Sequence, residues 1–339
     1  MTTMNTRTAA RPLPEVLAWS KNLLEPALRT AAGRLPEAMR QIAGYHFGWW
    51  DAHGEPSSAD GGKALRPALV LLCAEAAGGD PADAVPAAVA VELVHNFSLL
   101  HDDVMDGDTT RRHRPTAWTV FGTGPAVLAG DALLSLAFDV LAPGGAPNAR
   151  LLSGAVLALL EGQAADLDFE HRDDVTATEC VRMAEGKTAA LLGAACTLGA
   201  TSGQRDPGPF GAFGRAVGLA FQHIDDLLGI WGDPAVTGKP VYSDLQNRKK
   251  SLPVVTALCS GTAAGTELAA LYARSDPLSD AELARAATLV EAAGGRQWSQ
   301  AQAEALLAKA LRDLATANPV PRPGAELAAL ARLITTRTH

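Results

Sequence analysis

Apolar positions along this chain recur every three or four residues in long runs, broken by short Gly-, Pro- and Asp-rich segments, the period of helices that bury one face. The pattern begins at Pro14-Glu-Val-Leu-Ala-Trp19 and predicts a first helix to about Ala32 and a second near Pro36–Tyr45. From Lys63 it predicts long apolar helices over about 63–78, 84–106, 124–142, 149–171, 176–201 and 208–231. Shorter amphipathic helices follow over about 263–274, 279–293, 297–317 and 324–336, separated by Ser275-Asp-Pro277 and Asn318-Pro-Val-Pro-Arg-Pro323. These read as an outer layer on a central bundle. No repeat of solenoid period is present. The expected organisation is a flexible N-terminal tail over 1–12 and one all-helical domain over 13–339. One segment stands apart, His46-Phe-Gly-Trp-Trp50 followed by a Gly/Pro/Ser loop to Gly62. Its aromatic half is expected to cap the core, with a lid or a partner contact as alternatives.

Composition supports the helical reading. Of 339 residues 47% are hydrophobic but only 5% aromatic, with Ala and Leu dominant and β-branched runs scarce, so the fold class is all-α. The chain is long enough to bury a sizeable core. A net charge of −8 argues against a nucleic-acid surface and gives no reason for adhesion to anionic membranes. Four cysteines lie far apart with no CxxC pair, so neither a disulfide framework nor a zinc site is indicated, and they read as buried small apolar residues. The first thirteen residues lack an apolar signal core, and no apolar run reads as long and clean enough to span a bilayer. A cytoplasmic protein without stable membrane insertion is expected.

The chemistry concentrates in Leu99-Leu-His-Asp-Asp-Val-Met-Asp-Gly-Asp-Thr-Thr-Arg-Arg112. Asp102 and Asp106 share a helix face, with Asp103 beside them, and such a cluster repels itself unless a cation is held there. Oxygen-only ligands suit a hard ion such as Mg2+. Arg111 and Arg112 follow, as a site gripping phosphate oxygens needs. Carboxylates, metal and arginines together point to a diphosphate; the alternative is a solvated helix end with local ion pairs.

A second stretch, Phe221-Gln-His-Ile-Asp-Asp226, repeats the theme of an apolar helix ending in paired aspartates, and Lys239 and Asp244 follow it. Bundle cores build metal sites from carboxylates on facing helices, so the two clusters are expected to share metal ions. Lysine is scarce, seven residues in all, yet Lys63, Lys187, Lys239 and Lys249 all stand in or beside these motifs, where a compact ammonium suits a phosphate. Gly186-Lys-Thr188 echoes the end of a P-loop, but Val181 occupies the position of the required first glycine.

The motifs, taken in order, resemble those of the trans-isoprenyl diphosphate synthases, the polyprenyl synthetases. They are Gly61-Gly-Lys-Ala-Leu-Arg-Pro67, His95 seven residues before Asp102, the DDVMD run with its double arginine, Gly162-Gln163, Gly186-Lys-Thr188, Phe221-Gln-His-Ile-Asp-Asp226, Gly238-Lys239, and Asp244 with Lys249 and Leu252-Pro253. The resemblance implies an isoprenoid synthase fold, an antiparallel helix bundle around a central cavity, and a homodimer. It implies that isopentenyl diphosphate is condensed with an allylic diphosphate. Asp102, Asp103, Asp106, Asp225 and Asp226 would hold Mg2+ on the allylic diphosphate. Arg111, Lys187 and Lys239 would take up charge as the carbon–oxygen bond breaks. Lys63, Arg66, His95 and Arg112 would bind the second diphosphate without metal. Thr188 and Gln222 would position the allylic group, with Lys249 at the substrate. Gln163 and Asp166 either serve the cavity or bond a neighbouring helix, and His101 and His223 are structural neighbours of the aspartates.

The resemblance fails at two positions. Gly229 stands where the second motif would end in an aspartate, and Arg248 stands where a glycine precedes the later lysine. Asp233 would fall on the Asp226 face if the helix persisted that far. The missing carboxylate raises one rival, a terpene cyclase of the same fold, and a non-catalytic subunit of a synthase is another. A cyclase has no use for all of Lys63, Arg66, His95 and Arg112, and intact DDVMD argues against the subunit. Phe97, with small Ser98 beside it, lies about one and a half turns before Asp102 and would obstruct a growing chain, so the expected product is short: geranylgeranyl diphosphate first, farnesyl diphosphate second.

Overall fold

Helix α1 spans Leu13–Ala32, α2 Glu37–His46, α3 Leu65–Ala76 and α4 Val85–Met105. The computed structural model describes residues 9–57, 64–234 and 240–335. After α4 comes a short hairpin of Thr110–Arg111 (β1) and Arg114–Pro115 (β2), then α5 (Ala117–Phe121), α6 (Thr123–Leu141) and α7 (Gly145–Glu170). Next are α8 (Ala177–Ala184), α9 (Ala190–Ala200) and α10 (Pro207–Trp231), with Ser243–Gln246, Leu252–Leu258, Ala263–Tyr272, Asp280–Ala292, Gly295–Thr316 and Pro321–Thr335 completing the helices. The helical periods of the sequence therefore mark the elements closely. Ser243–Gln246 and Leu252–Leu258 carry too few turns to show a period.

The chain divides into two compact units, the first over 1–154, 194–211 and 314–328, the second over 155–193, 212–313 and 329–339. In the first, α4 packs along α6 and against α3, and α1 lies on both α3 and α4. Leu69, Leu71, Leu72, Leu93, Leu100 and Leu133 are fully buried there, each side chain contributing about 1.5–3 kcal/mol of burial. The aromatic segment caps this core. Tyr45 meets Phe121 edge-on at 5.3 Å, Phe47 stacks on Trp49 at 4.7 Å, and the Trp50 ring lies over Gly44, where a Cβ would overlap it. Arg11, expected in a loose tail, is instead tied down: its guanidinium meets Glu326 at 2.6 Å and Glu75 at 2.9 Å. The rest of the expected tail, residues 1–8, lies outside the described residues.

In the second unit, Phe169, Val175, Cys180, Met183, Leu219 and Val255 form one apolar cluster, and Ile230, Leu245, Val254, Leu268 and Val290 form another. Thr176 and Glu179 close a capping box that starts α8. The helix expected over 176–201 is interrupted. Glu185–Ala189 winds as a π-turn between α8 and α9, and Gly186 there lies so close to α7 that a Cβ would strike Ala158 O.

Two expectations need correction. By length and composition, Pro81–Met105 (mean hydropathy 1.2) and Thr123–Glu170 (1.6) are apolar enough to cross a membrane. In Pro81–Met105 67% of the apolar window is buried, the composition a helix acquires when it is covered on several sides, whereas in Thr123–Glu170 the buried share is 39%. Cys73, Cys180 and Cys196 are buried as expected, but Cys259 is exposed.

Candidate active site

The last turn of α4 carries Asp102 and Asp103, and Asp106 caps its end, its N–H donating to Asp102 O at 2.8 Å. Asp103 is buried, Asp102 half-buried and Asp106 exposed. The hairpin then folds back. Thr110 pairs with Pro115 and Arg111 with Arg114, leaving Arg112 and His113 as the two turn residues, at φ 50° and 61°. Two-residue hairpins need this left-handed backbone, which glycine or asparagine adopts more readily, so the turn holds strain beside the acidic cluster. Its effect is to return Arg111 to α4, where Nε donates to Asp103 Oδ1 at 2.5 Å. Burial still pushes the Asp103 carboxyl up, to about 6, against the charge of Arg111. Asp103 Oδ2 is buried with no hydrogen-bond partner.

In the same unit Arg66, His95 and Arg112 come together as expected. Arg66 Nη1 donates to His95 Nε2 at 3.1 Å, which leaves the ring's proton on Nδ1. Burial, with the charges of Arg66 and Arg112, holds His95 well below its ordinary value, so it is a neutral ring. Lys63, expected with them, lies outside the described residues.

Sequence reasoning missed His46 here. It lines a small cavity of about 20 Å3 with Tyr45, Asp103, Arg111, Arg112 and Arg114, its Nε2 buried without a partner. Burial and the charges of Arg112 and Arg111 push it down to about 3. Its place at the end of α2, opening an aromatic run, gave no signal of chemistry.

The second cluster is built on α10, α7 and the π-turn. The two helical segments touch through glycines: a Cβ at Gly162 would overlap the Lys187 and Met183 backbones. This close approach sets Lys187 Nζ against Asp166 Oδ2 at 2.6 Å, and Lys249 Nζ lies 3.8 Å from the same oxygen. Burial raises the Asp166 carboxyl, but Lys249 and Lys187 outweigh it and hold the group below its usual value. Asp166 thus serves the lysines. Gln163, its near neighbour, is buried with both side-chain polar atoms unpartnered.

Thr188 donates to Gln222 Oε1 at 2.6 Å, and Gln222 Nε2 donates to Asp226 Oδ1 at 2.7 Å. The Leu252 N–H donates to Asp226 Oδ2 at 2.8 Å. Asp226 is therefore buried and anchored, whereas Asp225 faces solvent. Burial, then the charge of Asp244, pushes Asp226 up to about 7.

Other expected residues have local partners. Phe97 is buried and meets the His101 ring edge-on at 4.8 Å, and Ser98 Oγ donates to His95 O at 2.8 Å. His223 Nδ1 bonds Ser299 Oγ at 2.8 Å beside Trp298. Asp233 does not extend the Asp226 face, because α10 ends at Trp231. Arg248 takes φ 47°, the backbone of the glycine it replaces, and its guanidinium bonds Asp276 O. Lys239 lies outside the described residues.

Among the described residues no three His, Cys, Asp or Glu side chains converge as a ready metal cage. Mg2+ keeps several waters and is held by one or two carboxylates together with substrate phosphates. The orphaned Asp103 Oδ2 and the all-oxygen donor set fit such an ion.

The family model for polyprenyl synthetase matches residues 49–290. The chain belongs to the polyprenyl synthetase family. It is 49% identical over 341 residues to the (2E,6E)-farnesyl diphosphate synthase of Mycobacterium bovis, covering 98% of this chain and 95% of that one. It is 46% identical over 322 residues to the geranylgeranyl diphosphate synthase of Mycobacterium tuberculosis, covering 92% and 90%. The crystal structure of a polyprenyl synthetase from Streptomyces coelicolor superposes with a TM-score of 0.91 at 46% identity, over 96% of this chain and all of that one. This polyprenyl synthetase is thus a prenyl-transferring enzyme with the all-α isoprenoid synthase fold.

Proposed function

We propose that this chain condenses isopentenyl diphosphate with an allylic diphosphate to give a short all-trans prenyl diphosphate, acting as a homodimer in the cytoplasm. The observation that carries the reading is the Arg66–His95 pair with Arg112 beside it, a cationic set with a neutral imidazole that suits a second diphosphate. A cyclase, which binds one diphosphate, has no need of it. Lys63 belongs to the same role by resemblance.

Asp102, Asp103, Asp106, Asp225 and Asp226 would hold Mg2+, which supplies positive charge to the allylic diphosphate. The chain's own part is to place fixed cations where charge develops on the leaving group. Lys187 and Lys249 are held ready by Asp166, and Arg111 by Asp103; Lys239 takes the same role by resemblance. Thr188 and Gln222 form a bonded pair that orients the allylic group. As that carbon–oxygen bond breaks, the double bond of isopentenyl diphosphate attacks the allylic cation, and the released diphosphate accepts the proton then lost.

Geranylgeranyl diphosphate is the first product reading, supported by the buried Phe97 near Asp102. Farnesyl diphosphate is the second, favoured by the name of the Mycobacterium bovis relative. The test incubates purified protein with Mg2+, isopentenyl diphosphate and dimethylallyl, geranyl or farnesyl diphosphate in turn, with products identified by mass. Chain-extended products that disappear with chelator are expected. No extension, with hydrocarbon or alcohol formed from a long prenyl diphosphate alone, overturns condensation in favour of a cyclase.

A further inference from the structure

The hairpin of β1 and β2 is poorly fitted to hold itself. Its register sets Arg111 directly opposite Arg114, and like charges so placed oppose pairing. Both turn residues, Arg112 and His113, take the left-handed backbone without being glycine. A two-stranded hairpin is marginal by itself even with favourable residues. Its shape is therefore imposed from outside, and the two opposed arginines show how. Arg111 turns to Asp103 on α4, and Arg114 turns to α2 and the aromatic segment. Arg114 Nη1 donates to Tyr45 O at 2.9 Å, Nη2 donates to Trp50 O at 3.2 Å, and the guanidinium carbon lies 4.3 Å from the centre of the Tyr45 ring. Tyr45 returns the contact, its hydroxyl donating to Pro115 O at 2.8 Å. These partners are themselves fixed: Tyr45 is buried against Phe121, and Trp50 Nε1 donates to Gln41 O at 2.8 Å. Both terminal nitrogens of Arg114 face main-chain carbonyls, whereas the charge of Arg112 reaches His95 and His46.

We propose that Arg114 is a positioning residue: seated on Tyr45 and the Trp50 carbonyl, it clamps the hairpin in its strained turn and so sets Arg112 beside Arg66 and His95. The aromatic segment is the seat of that clamp as well as a cap on the core. The inference rests on the reading of Arg66, His95 and Arg112 as a diphosphate pocket, and it adds a residue that acts on Arg112 without touching the diphosphate.

The test uses the full-length protein in chelator, as wild type and as Arg114→Ala, Tyr45→Phe, His113→Gly and the double variant Arg114→Ala/His113→Gly. Calorimetry reads affinity for isopentenyl diphosphate. Amide hydrogen exchange reads the hairpin, with the buried amides of α3 as the reference for global stability. Arg114→Ala is expected to bind isopentenyl diphosphate about tenfold more weakly, as the fraction of chains with Arg112 in place falls, and to exchange faster in the hairpin but not in α3. Tyr45→Phe keeps the ring and loses one hydrogen bond, so a smaller loss of about threefold is expected. His113 is exposed, and His113→Gly removes a left-handed cost of roughly fivefold to thirtyfold in the turn equilibrium. His113→Gly alone is expected to keep wild-type affinity, and the double variant to return to within about threefold of it. A double variant as weak as Arg114→Ala, or hairpin exchange unchanged in Arg114→Ala, overturns the proposal in favour of Arg114 acting on the ligand by its own charge. Exchange raised equally in α3 overturns it in favour of a residue that serves stability alone. Wild type that binds no isopentenyl diphosphate refutes the diphosphate-pocket reading, and the exchange comparison still decides the clamp.

Discussion

The two aspartate pairs look alike in sequence and are held differently in the structure. On α4, Asp103 is buried against Arg111 with one oxygen left over, while Asp102 and Asp106 stand more open. On α10, Asp226 is buried with both oxygens engaged by Gln222 and the Leu252 N–H, and only Asp225 is exposed. The first cluster takes its cations from a strained hairpin a few residues away. The second takes its lysines from a π-turn and from a distant loop, bridged by Asp166. In each pair one aspartate is buried against fixed partners and its neighbour is more exposed, and in the second pair the anchored residue also ties α10 to the start of Leu252–Leu258.

The largest expected break in this comparison is Asp225→Ala against Asp226→Ala. Both should lose on the order of 10²–10³-fold in kcat. Only Asp226→Ala should also lose about 1–3 kcal/mol of stability in urea unfolding, because the Gln222 amide and the Leu252 N–H are left unpaired. Equal stability of the two variants would erase the distinction between an anchored and an open carboxylate.

A second pair of variants bears on the π-turn. Gly162→Ala pushes a methyl into the Lys187 backbone and should cost about 1–3 kcal/mol, with a fall in kcat as Lys187 is displaced. Gly154→Ala, on the same helix with open space around it, should be stabilising by about 0.5–1 kcal/mol with activity kept. If Gly162→Ala behaves like Gly154→Ala, the close helix contact does not position the lysine.

The smallest effect is in pH. Asp226 rises to about 7 and Asp103 to about 6 in the fold, from an ordinary value of about 3.9. A raised carboxyl favours the folded state while protonated, so its contribution is full below pH of about 4 and is lost as pH rises through the folded value. In chelator, wild type should therefore lose stability relative to Asp226→Asn up to a pH of about 7, and relative to Asp103→Asn up to about 6. Thermal unfolding across pH 4 to 8, chosen as roughly the range of these shifts, checks both windows. A difference that stays flat with pH means the two carboxyls are not pushed up by burial.

The helices were legible because an all-α protein writes its burial at a 3.6-residue period, and α10 was expected over 208–231 and found at Pro207–Trp231. The diphosphate chemistry was legible because charge is too costly to place in apolar helices without a use. The π-turn at Glu185–Ala189 was not, since one extra residue in a helical turn leaves the apolar spacing almost unchanged. His46 was hidden for a related reason: a lone histidine among aromatics has no sequence mark that sets it among arginines.

What the sequence determined by itself, then, was element order, family and the inventory of acids and bases, all of which follow from local period and residue type. Tertiary structure alone decided which acid is anchored and which is open, because burial and hydrogen-bond partners come from segments remote in the chain. Leu252 N–H reaches Asp226 across 26 residues, and Asp244 fills the side-chain space of Gly229 from the segment beyond α10. Contacts of that span follow from packing, which the local period of the sequence does not carry.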